Sequence, residues 1–355
     1  MSTTVLDVSR SEAIAAALAR AAEVLRAGGL VAFPTETVYG LGANALDADA
    51  VARIFAAKGR PANNPLIVHV AETADVLRVA SAWPDEAGRL AERFWPGPLT
   101  LVLPRRPELP DIVTAGGPTV AVRLPAHPVA RELIRLAGVP IAAPSANRSN
   151  RLSSTRAEHV LRDLDGRIDL LLDGGPTPGG IESTVLDLSR RPPRLLRPGL
   201  IEPAVLEAVV GPIERPESSE RRGSSAPGQA RRLASLPSEV GSEAGAEALP
   251  SPGMLARHYA PRTPMELVAG GEERVRQLSQ DGLRVGWLVW FDVEEVQPAG
   301  VTVVRLPSDA AGYAAGLYQS LHALDAIGLD RIVAALSPEG EEWLGVRDRL
   351  RRASG

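Results

Sequence analysis

Residues 214–250, ERPESSERRGSSAPGQARRLASLPSEVGSEAGAEALP, interrupt this chain and limit what it can fold into. The run is rich in Ser, Glu, Arg, Gly, Pro and Ala and shows no apolar period. It cannot bury enough apolar surface to offset its ordering entropy, so it reads as a mobile linker. Folding has to happen on either side of it, and on both sides helix and strand patterns alternate. Upstream, SEAIAAALARAAEVLRA (11–27) reads as a helix closed by Gly28-Gly29, LVAF (30–33) as a strand, and Asp47 as the cap of a helix running through Ala57. PLIVHV (65–70) is a strand; helices follow at about 72–80 and 85–94, the second stopped by Pro96-Gly97. LTLVL (99–103), TVAVRL (119–124), PIAA (140–143), LLLD (170–173), STVLDL (183–188) and RLLR (194–197) read as strands. HPVARELIRLAG, TRAEHVLRDL and EPAVLEAVV read as helices. Some of these strands lie too close in sequence for crossover helices, which predicts an α/β sheet of mixed direction. Downstream, PMELV, RVGWLVW, VTVVRL and RIVAAL alternate with helices at about 272–280, 309–327 and 342–353, the pattern of a smaller doubly wound, Rossmann-like α/β domain. The expected division is 1–212, a linker 213–261 and 262–355. Within the linker, 214–250 is flexible and SPGMLARHYAP (251–261) has the Met, Leu, His and Tyr needed to dock.

Composition removes several chemistries. The 355 residues include no cysteine, which excludes disulfides, thiolate nucleophiles and Cys-type zinc sites. Net charge is −4, and residues 1–212 hold 23 basic against 23 acidic side chains, so neither the chain nor its larger part exerts a global pull on nucleic acid or an anionic membrane. With no membrane-length apolar run and no signal-peptide core at MSTTVLDVSR, the expected location is the cytoplasm. Of 39 basic residues 38 are arginine; the one lysine is Lys58, in AAKGRPANNP. A solvated helix end would tolerate arginine as well as lysine. A retained lysine suggests a compact ammonium, as at a phosphate oxygen or a developing charge.

Familiar motifs are missing. Lys58 is followed by Gly-Arg, so there is no Walker A loop, and neither HExxH nor Gly-x-Ser-x-Gly occurs. GLGANA (40–45) formally fits a dinucleotide fingerprint, but the acidic residue expected about twenty positions on is replaced by Lys58, Arg60 and Pro61. What remains is a set of strand-end loops. FPTETVYGLGANA (33–45) offers Thr35, Glu36, Thr37 and Tyr39, or is a plain strand exit with capping threonines. KGRPANN (58–64) pairs a point charge with a planar fork, a set suited to polyphosphate. APSANRSNRLSST (143–155) presents small residues, amides and hydroxyls for phosphate or ribose, or is a Ser/Asn-rich surface loop. GGPTPGGIESTV (174–185) delivers Ser183 and Thr184, or is simply a turn. Arg123 and Arg197, in apolar strands, are either edge-strand surface residues or anion ligands, and His69 is either a satisfied core histidine or a ligand. Jointly the loops favour positioning and charge stabilisation around a phosphorylated substrate over covalent catalysis.

Six motifs in order, FPTETVYGLG, KGRPxxxPLxVH, FWPGPLTLVL, VAVRLPxHP, APSAN and GGxxxGxxSTV, resemble the YrdC/Sua5 family of threonylcarbamoyl-AMP synthases across residues 10–212. SPGMLARHYAP resembles that family's interdomain linker, and 262–355 looks like the C-terminal domain of the long, two-domain Sua5 form. The resemblance implies a YrdC-like twisted mixed sheet and a reaction of L-threonine, bicarbonate and ATP to threonylcarbamoyladenylate and pyrophosphate. The carboxylated threonine would attack the α-phosphate, with Mg²⁺ accompanying ATP and protein metal ligands unassigned. The product would pass to a separate tRNA threonylcarbamoyl transferase for t6A37 synthesis. By motif, Lys58, Arg60, Ser145 and Asn147 would grip phosphates, and Asn64, Thr119, Ser153 and Arg197 would complete the ATP site. Thr37, His69, Arg123, Ala143 and Ser183 would hold threonine, Arg123 pairing its carboxylate, and Tyr259 would form part of a water-excluding lid. The principal rival is a non-catalytic module binding double-stranded RNA by shape, with weak RNA contact expected at most from the neutral charge balance. A nucleotide-sensing regulator is the third reading.

Overall fold

The computed structural model describes residues 2–9, 14–215, 249, 258–293 and 298–354. Ten strands precede the linker: β1 (Thr4–Asp7), β2 (Val31–Phe33), β3 (Gly40–Asn44), β4 (Ile67–His69), β5 (Leu99–Pro104), β6 (Thr119–Arg123), β7 (Ile141–Ala142), β8 (Leu170–Asp173), β9 (Thr184–Asp187) and β10 (Arg194–Arg197). They form one sheet in the order β1-β8-β2-β3-β7-β4-β6-β5-β9-β10. The pairings β1–β8, β8–β2, β4–β6 and β5–β9 are parallel; the other five are antiparallel, so the sheet is mixed as its short connections require. The helices of this unit are α1 (Ile14–Arg26), α2 (Ala48–Lys58), α3 (Asp85–Phe94), α4 (Asp111–Thr114), α5 (Pro128–Ala137), α6 (Ala157–Leu164) and α7 (Pro203–Val210). α1 and α5 cover one core with Val31, Phe33 and Leu172; α2, α3 and α6 cover a larger one with Leu41, Val68, Leu101 and Val122. After the linker come β11 (Met265–Val268), α8 (Glu272–Gln280), β12 (Val285–Val289), β13 (Val301–Arg305), α9 (Ala310–Ala326), β14 (Arg331–Ala335) and α10 (Leu344–Ser354). Their sheet is wholly parallel, in the order β11-β14-β12-β13. Among the described residues no helix is long and apolar enough to cross a membrane.

Local chemistry accounts for the element that presents Lys58. The Asp47 carboxylate accepts the Asp49 and Ala50 amides at 3.0 and 3.1 Å and caps α2. Gly59, at φ 62°, ends the helix in the left-handed region and returns its amide to Phe55 O. Three expectations need correction. Residues 73–78 form a 3-10 rather than an α-helix, entered through a capping box between Glu72 and Asp75. Gly40–Asn44 is strand β3, not loop, antiparallel to β2: a Cβ on Gly42 would lie 2.8 Å from both Ile141 and Phe33, so the glycine there marks close packing, not a turn. Glu214 and Arg215, at the start of the expected mobile run, are anchored: Glu214 O accepts the Leu195 amide at 2.8 Å, and Arg215 pairs with Glu207 and Glu341. Leu249 donates to Asn63 O at 3.0 Å; residues 216–248 and 250–257 lie outside the described residues. β1 and α4 were not anticipated.

The two units share an apolar core. Val38, Leu152 and Ile181 of the first and Tyr259 join Tyr313, Leu317, Tyr318 and Trp343 of the second. Gly180, at φ 72°, packs its Cα against the backbone of Ala314 and Ala315, where a Cβ would overlap them. At the edge of this interface the buried His159 and His322 rings stack 3.8 Å apart. His322 Nε2 donates to Ser153 O at 3.1 Å, and His159 Nδ1 accepts the Thr155 amide at 3.3 Å. Burial holds His159 down to about 3, with His322, Arg162 and Arg156 adding to the effect; burial likewise lowers His322 to about 4. Both are neutral when folded, whereas the unfolded chain takes up protons below about 6.5. The stability they contribute is complete above about pH 6.5 and lost as pH falls toward the folded values, with a slope up to about 1.4 kcal/mol per pH unit for each histidine. The thermal midpoint is therefore expected to fall between about pH 6.5 and pH 5, above the range in which carboxylates titrate, and His322→Gln should make that limb shallower while His69 and His258, which burial also holds at about 3, keep part of it.

Candidate active site

A cavity opens where the C-terminal ends of β4 and β6 meet the β2–β3 turn, and four of the singled-out loops reach it. Thr37, Arg60, His69, Arg123, Ala143, Ser145, Ser183, Arg197 and Tyr259 all line it. The β2–β3 turn is fixed by its own threonines: Thr35 Oγ1 donates to Val38 O at 2.6 Å, accepts the Thr37 and Val38 amides at 3.2 Å, and lies 2.9 Å from Thr37 Oγ1. Tyr39 OH, donating to Gly175 O at 2.7 Å, ties the turn to the loop after β8.

Arg123 ends β6, a strand flanked by β4 and β5, and is 4% exposed, which rules out the edge-surface reading. Its Nε donates to Gly97 O at 3.3 Å and its Nη2 to the Glu36 carboxylate, whose other oxygen accepts the Ala126 amide at 3.0 Å. Burial works to raise the Glu36 carboxyl, but the Arg123 charge and hydrogen bond outweigh it and keep Glu36 below the ordinary carboxylate range. His69 pairs in register with Arg123. Burial and the Arg123 charge hold this imidazole at about 3, so it is neutral, and its Nδ1 has no hydrogen-bond partner among the described residues. A buried polar atom without a partner on a cavity wall fits a ligand contact better than a satisfied core histidine.

Two further arginines line the cavity. Arg60 is braced by its own turn, Nε to Asn64 O at 2.9 Å and Nη2 to Asn64 Oδ1 and Pro65 O at 2.7 and 2.6 Å. Arg197 donates to Ser183 O and Oγ at 3.0 and 3.1 Å and lies 3.5 Å from Tyr259 OH. Lys58 is 2% exposed and sits one layer behind: its Nζ donates to Ser145 O at 2.6 Å and to Asn147 O, holding the SAN loop in place. Burial first, and Arg60 second, push the Lys58 ammonium well below the ordinary amine range; burial and Arg197 likewise lower Arg60, to about 9. Cations this closely spaced repel one another, and a polyphosphate among them would relieve both repulsion and desolvation.

Five of the fourteen expected residues do not line the cavity. Lys58, Asn64 and Asn147 brace it through the bonds above and through Asn147 Nδ2 to Arg148 O and Arg151 O at 2.8 and 2.9 Å. Thr119 starts β6, and the β4–β6 register extended by two residues sets it beside Pro65, near Arg60. Ser153 Oγ donates to Glu182. Glu182 and His258 line the cavity without having been singled out. The signal for Glu182 was a charge in the apolar run IESTVLDL, the same reasoning that had picked Arg123.

Tyr259 fills what would otherwise be open. It is 1% exposed, at φ 60°, an uncommon conformation for a residue with a Cβ. Its neighbours pin it to both units, His258 N to Arg352 O and Ala260 N to Asn150 O, each at 3.1 Å. The room left is about 50 Å³, far below the about 300–1,000 Å³ of small-molecule sites. With Tyr259 seated, the site is narrowed but keeps an opening to solvent.

The Sua5–YciO–YrdC family model, described as telomere recombination, matches residues 23–199, and the model described as the threonylcarbamoyl-AMP synthase C-terminal domain matches 201–355. The chain is 44% identical to a threonylcarbamoyl-AMP synthase of Bacillus subtilis over 95% of its own length and 93% of that protein's. Against the Pyrococcus abyssi protein of the same name it is 44% identical over 94% and 93% of the two chains. The crystal structure of P. abyssi Sua5 complexed with L-threonine superposes with a TM-score of 0.85 at 41% identity, covering 99% of this chain and 98% of that one.

Proposed function

The chain belongs to the Sua5 family of threonylcarbamoyl-AMP synthases in its long, two-domain form, and we propose that this cavity is where it joins L-threonine, bicarbonate and ATP. The enzyme is a nucleotidyltransferase. Threonine's amine and bicarbonate condense to a carbamate with loss of water; a carbamate oxygen then attacks the α-phosphorus, and pyrophosphate leaves. The observation that supports this assignment most is the convergence of Arg60, Arg123 and Arg197 from three separate elements on one hydroxyl-lined cavity.

Arg123, held by Gly97 O and Glu36, keeps Nη1 for the threonine carboxylate. Thr37 and the neutral His69 would meet the amino acid's polar groups. Arg60 and Arg197 would take phosphate oxygens, with Ser145, Asn147 and Lys58 holding the loop beneath them and Asn64, Thr119 and Ser153 bordering the nucleotide. A divalent ion such as Mg²⁺ fits best as part of the nucleotide, held on phosphate oxygens. Glu182 of the cavity wall and Glu36, bound to the wall residue Arg123, are already engaged by arginines, and among the described residues no group of three acidic or histidine side chains could cage a metal. Closure by Tyr259 would keep water from a carbamate and a mixed anhydride that both hydrolyse, and a product this labile suits direct hand-over to a separate tRNA-modifying transferase. The RNA-binding reading finds no support: Lys58, Arg123 and Arg197 are buried at the cavity and are not presented on an outer face.

Incubation with ATP, threonine and bicarbonate is expected to yield an adenylate and pyrophosphate in equal amounts by mass detection, and omission of any one reactant should remove both. ATP turnover indifferent to threonine would overturn this reading.

A further inference from the structure

Glu182 is the one cavity-lining carboxylate that the reaction above leaves without a task, and its partners come from the other unit. It is buried, and its oxygens accept Arg349 Nε at 2.6 Å, Tyr318 OH at 3.2 Å and the Ser153 hydroxyl. Arg349 stands on α10 and is fully buried. Nη1 donates to Pro198 O at 3.0 Å and to Asp348 at 2.6 Å, and Nη2 to Glu182 O at 3.3 Å. The same guanidinium lies 5.2 Å from the centre of the Tyr259 ring. One side chain of the C-terminal domain thus touches both the cavity wall and the lid.

We propose that Arg349 is a positioning residue of the active site: it holds Glu182 away from Arg197 and seats the Tyr259 ring, so that docking of the C-terminal domain sets the nucleotide affinity of the N-terminal one. The physical basis is competition for one anion. Arg197 already acts on Glu182, after Arg349, in keeping that carboxyl ionised despite its burial. Without Arg349 a buried carboxylate would be left short of a cation and would turn to Arg197, the group expected to take phosphate oxygens. With Arg349 present, Glu182 is satisfied from behind and does not draw Arg197 out of the position that its bonds to Ser183 and Tyr259 give it at the cavity. Gly345, one turn earlier on α10, lets the helix come this close, since a Cβ there would lie 2.6 Å from Gly199 O.

This inference rests on the cavity being the nucleotide site, so the test reads nucleotide binding directly. A non-hydrolysable ATP analogue is titrated calorimetrically into the full chain, and steady-state turnover is measured in parallel. Arg349→Met is expected to weaken analogue binding and raise the KM for ATP by about tenfold, with a smaller change in kcat. The double variant Glu182→Gln/Arg349→Met removes both charges and should recover most of that loss; rescue by removing the partner distinguishes a charge-positioning role from simple interface packing. Equal affinity in Arg349→Met and wild type, or a double variant no better than the single one, would overturn the assignment of Arg349 while wild-type binding and turnover stand. A wild-type chain that binds no analogue would instead sink the functional reading, and this inference with it. If Arg349→Met fails to fold, the double variant is compared with Glu182→Gln alone: equal analogue affinity is expected, because no charge is left for Arg349 to hold, and a weaker double variant would overturn the assignment.

Discussion

Lys58→Arg is expected to slow adenylate formation by about 10²–10³-fold while the protein still folds, a loss of the size seen when one preorganised charge-stabilising group is removed. The two cations are of equal charge, so the effect has to come from shape. The Lys58 ammonium is buried and donates to two main-chain carbonyls, Ser145 O and Asn147 O, at the root of the loop that brings Ser145 to the cavity. A guanidinium is wider, planar and carries five donors in a fixed fork, so it can keep one of these bonds only by pushing the SAN loop into the cavity. Overpacking of this kind costs about 1–3 kcal/mol of stability, which a folded two-domain protein tolerates, whereas displacement of Ser145 by about 1 Å is felt fully in the chemistry. Lys58→Met tests the other half. It fits the space but leaves two buried carbonyls without a donor, and it should lose both stability and turnover. Single-turnover pyrophosphate release, followed alongside thermal melting, separates the two. Unimpaired release by the arginine variant would mean that the single lysine owes nothing to this site.

The retained lysine was legible because an arginine-saturated composition made it an exception; what it binds was not. Its partners are carbonyls some ninety residues away, and nothing local marks a backbone oxygen as an acceptor for a side chain. Motif-bearing loops were legible for the opposite reason. KGRPANN is self-contained, with Arg60 bracing Asn64 four residues on, and the PTETV turn is stitched by its own threonines, so their chemistry sits where their sequence is. Strand β3 was missed because glycine reads as a turn signal unless one knows that Phe33 and Ile141 lie across it. The Glu182–Arg349 pair was missed because the partners are separated by the linker and the whole C-terminal sheet. An acidic residue before a strand start and an arginine in a helix rich in arginines are each unremarkable until docking brings them together.

Arg123→Met is expected to raise the KM for threonine about a hundredfold or more, the effect of truncating one partner of a desolvated charge pair. It should also change how stability depends on pH, in a direction that identifies the cause. In the wild type Glu36 has a depressed pKa, held down by Arg123 against its burial. The stability it contributes is present above its unfolded value, about 4.3, and is lost as pH falls through the lower folded value. Removing Arg123 leaves the buried carboxylate with the Ala126 amide as its remaining partner outside its own residue, and burial then raises its pKa. The sign reverses: stability is fully present below about 4.3 and is lost as pH rises through the raised folded value, so the variant should be at its worst near neutrality, by about 3–5 kcal/mol. Glu36→Gln/Arg123→Met removes the stranded charge and should recover the stability without recovering threonine affinity, because the amide does not restore a cation for the substrate carboxylate. Calorimetric threonine titration and melting curves across pH read the two effects separately. Wild-type threonine affinity in either variant would remove Arg123 from the substrate site, and a stability loss that ignores pH would locate the damage in packing instead of in the Glu36 charge.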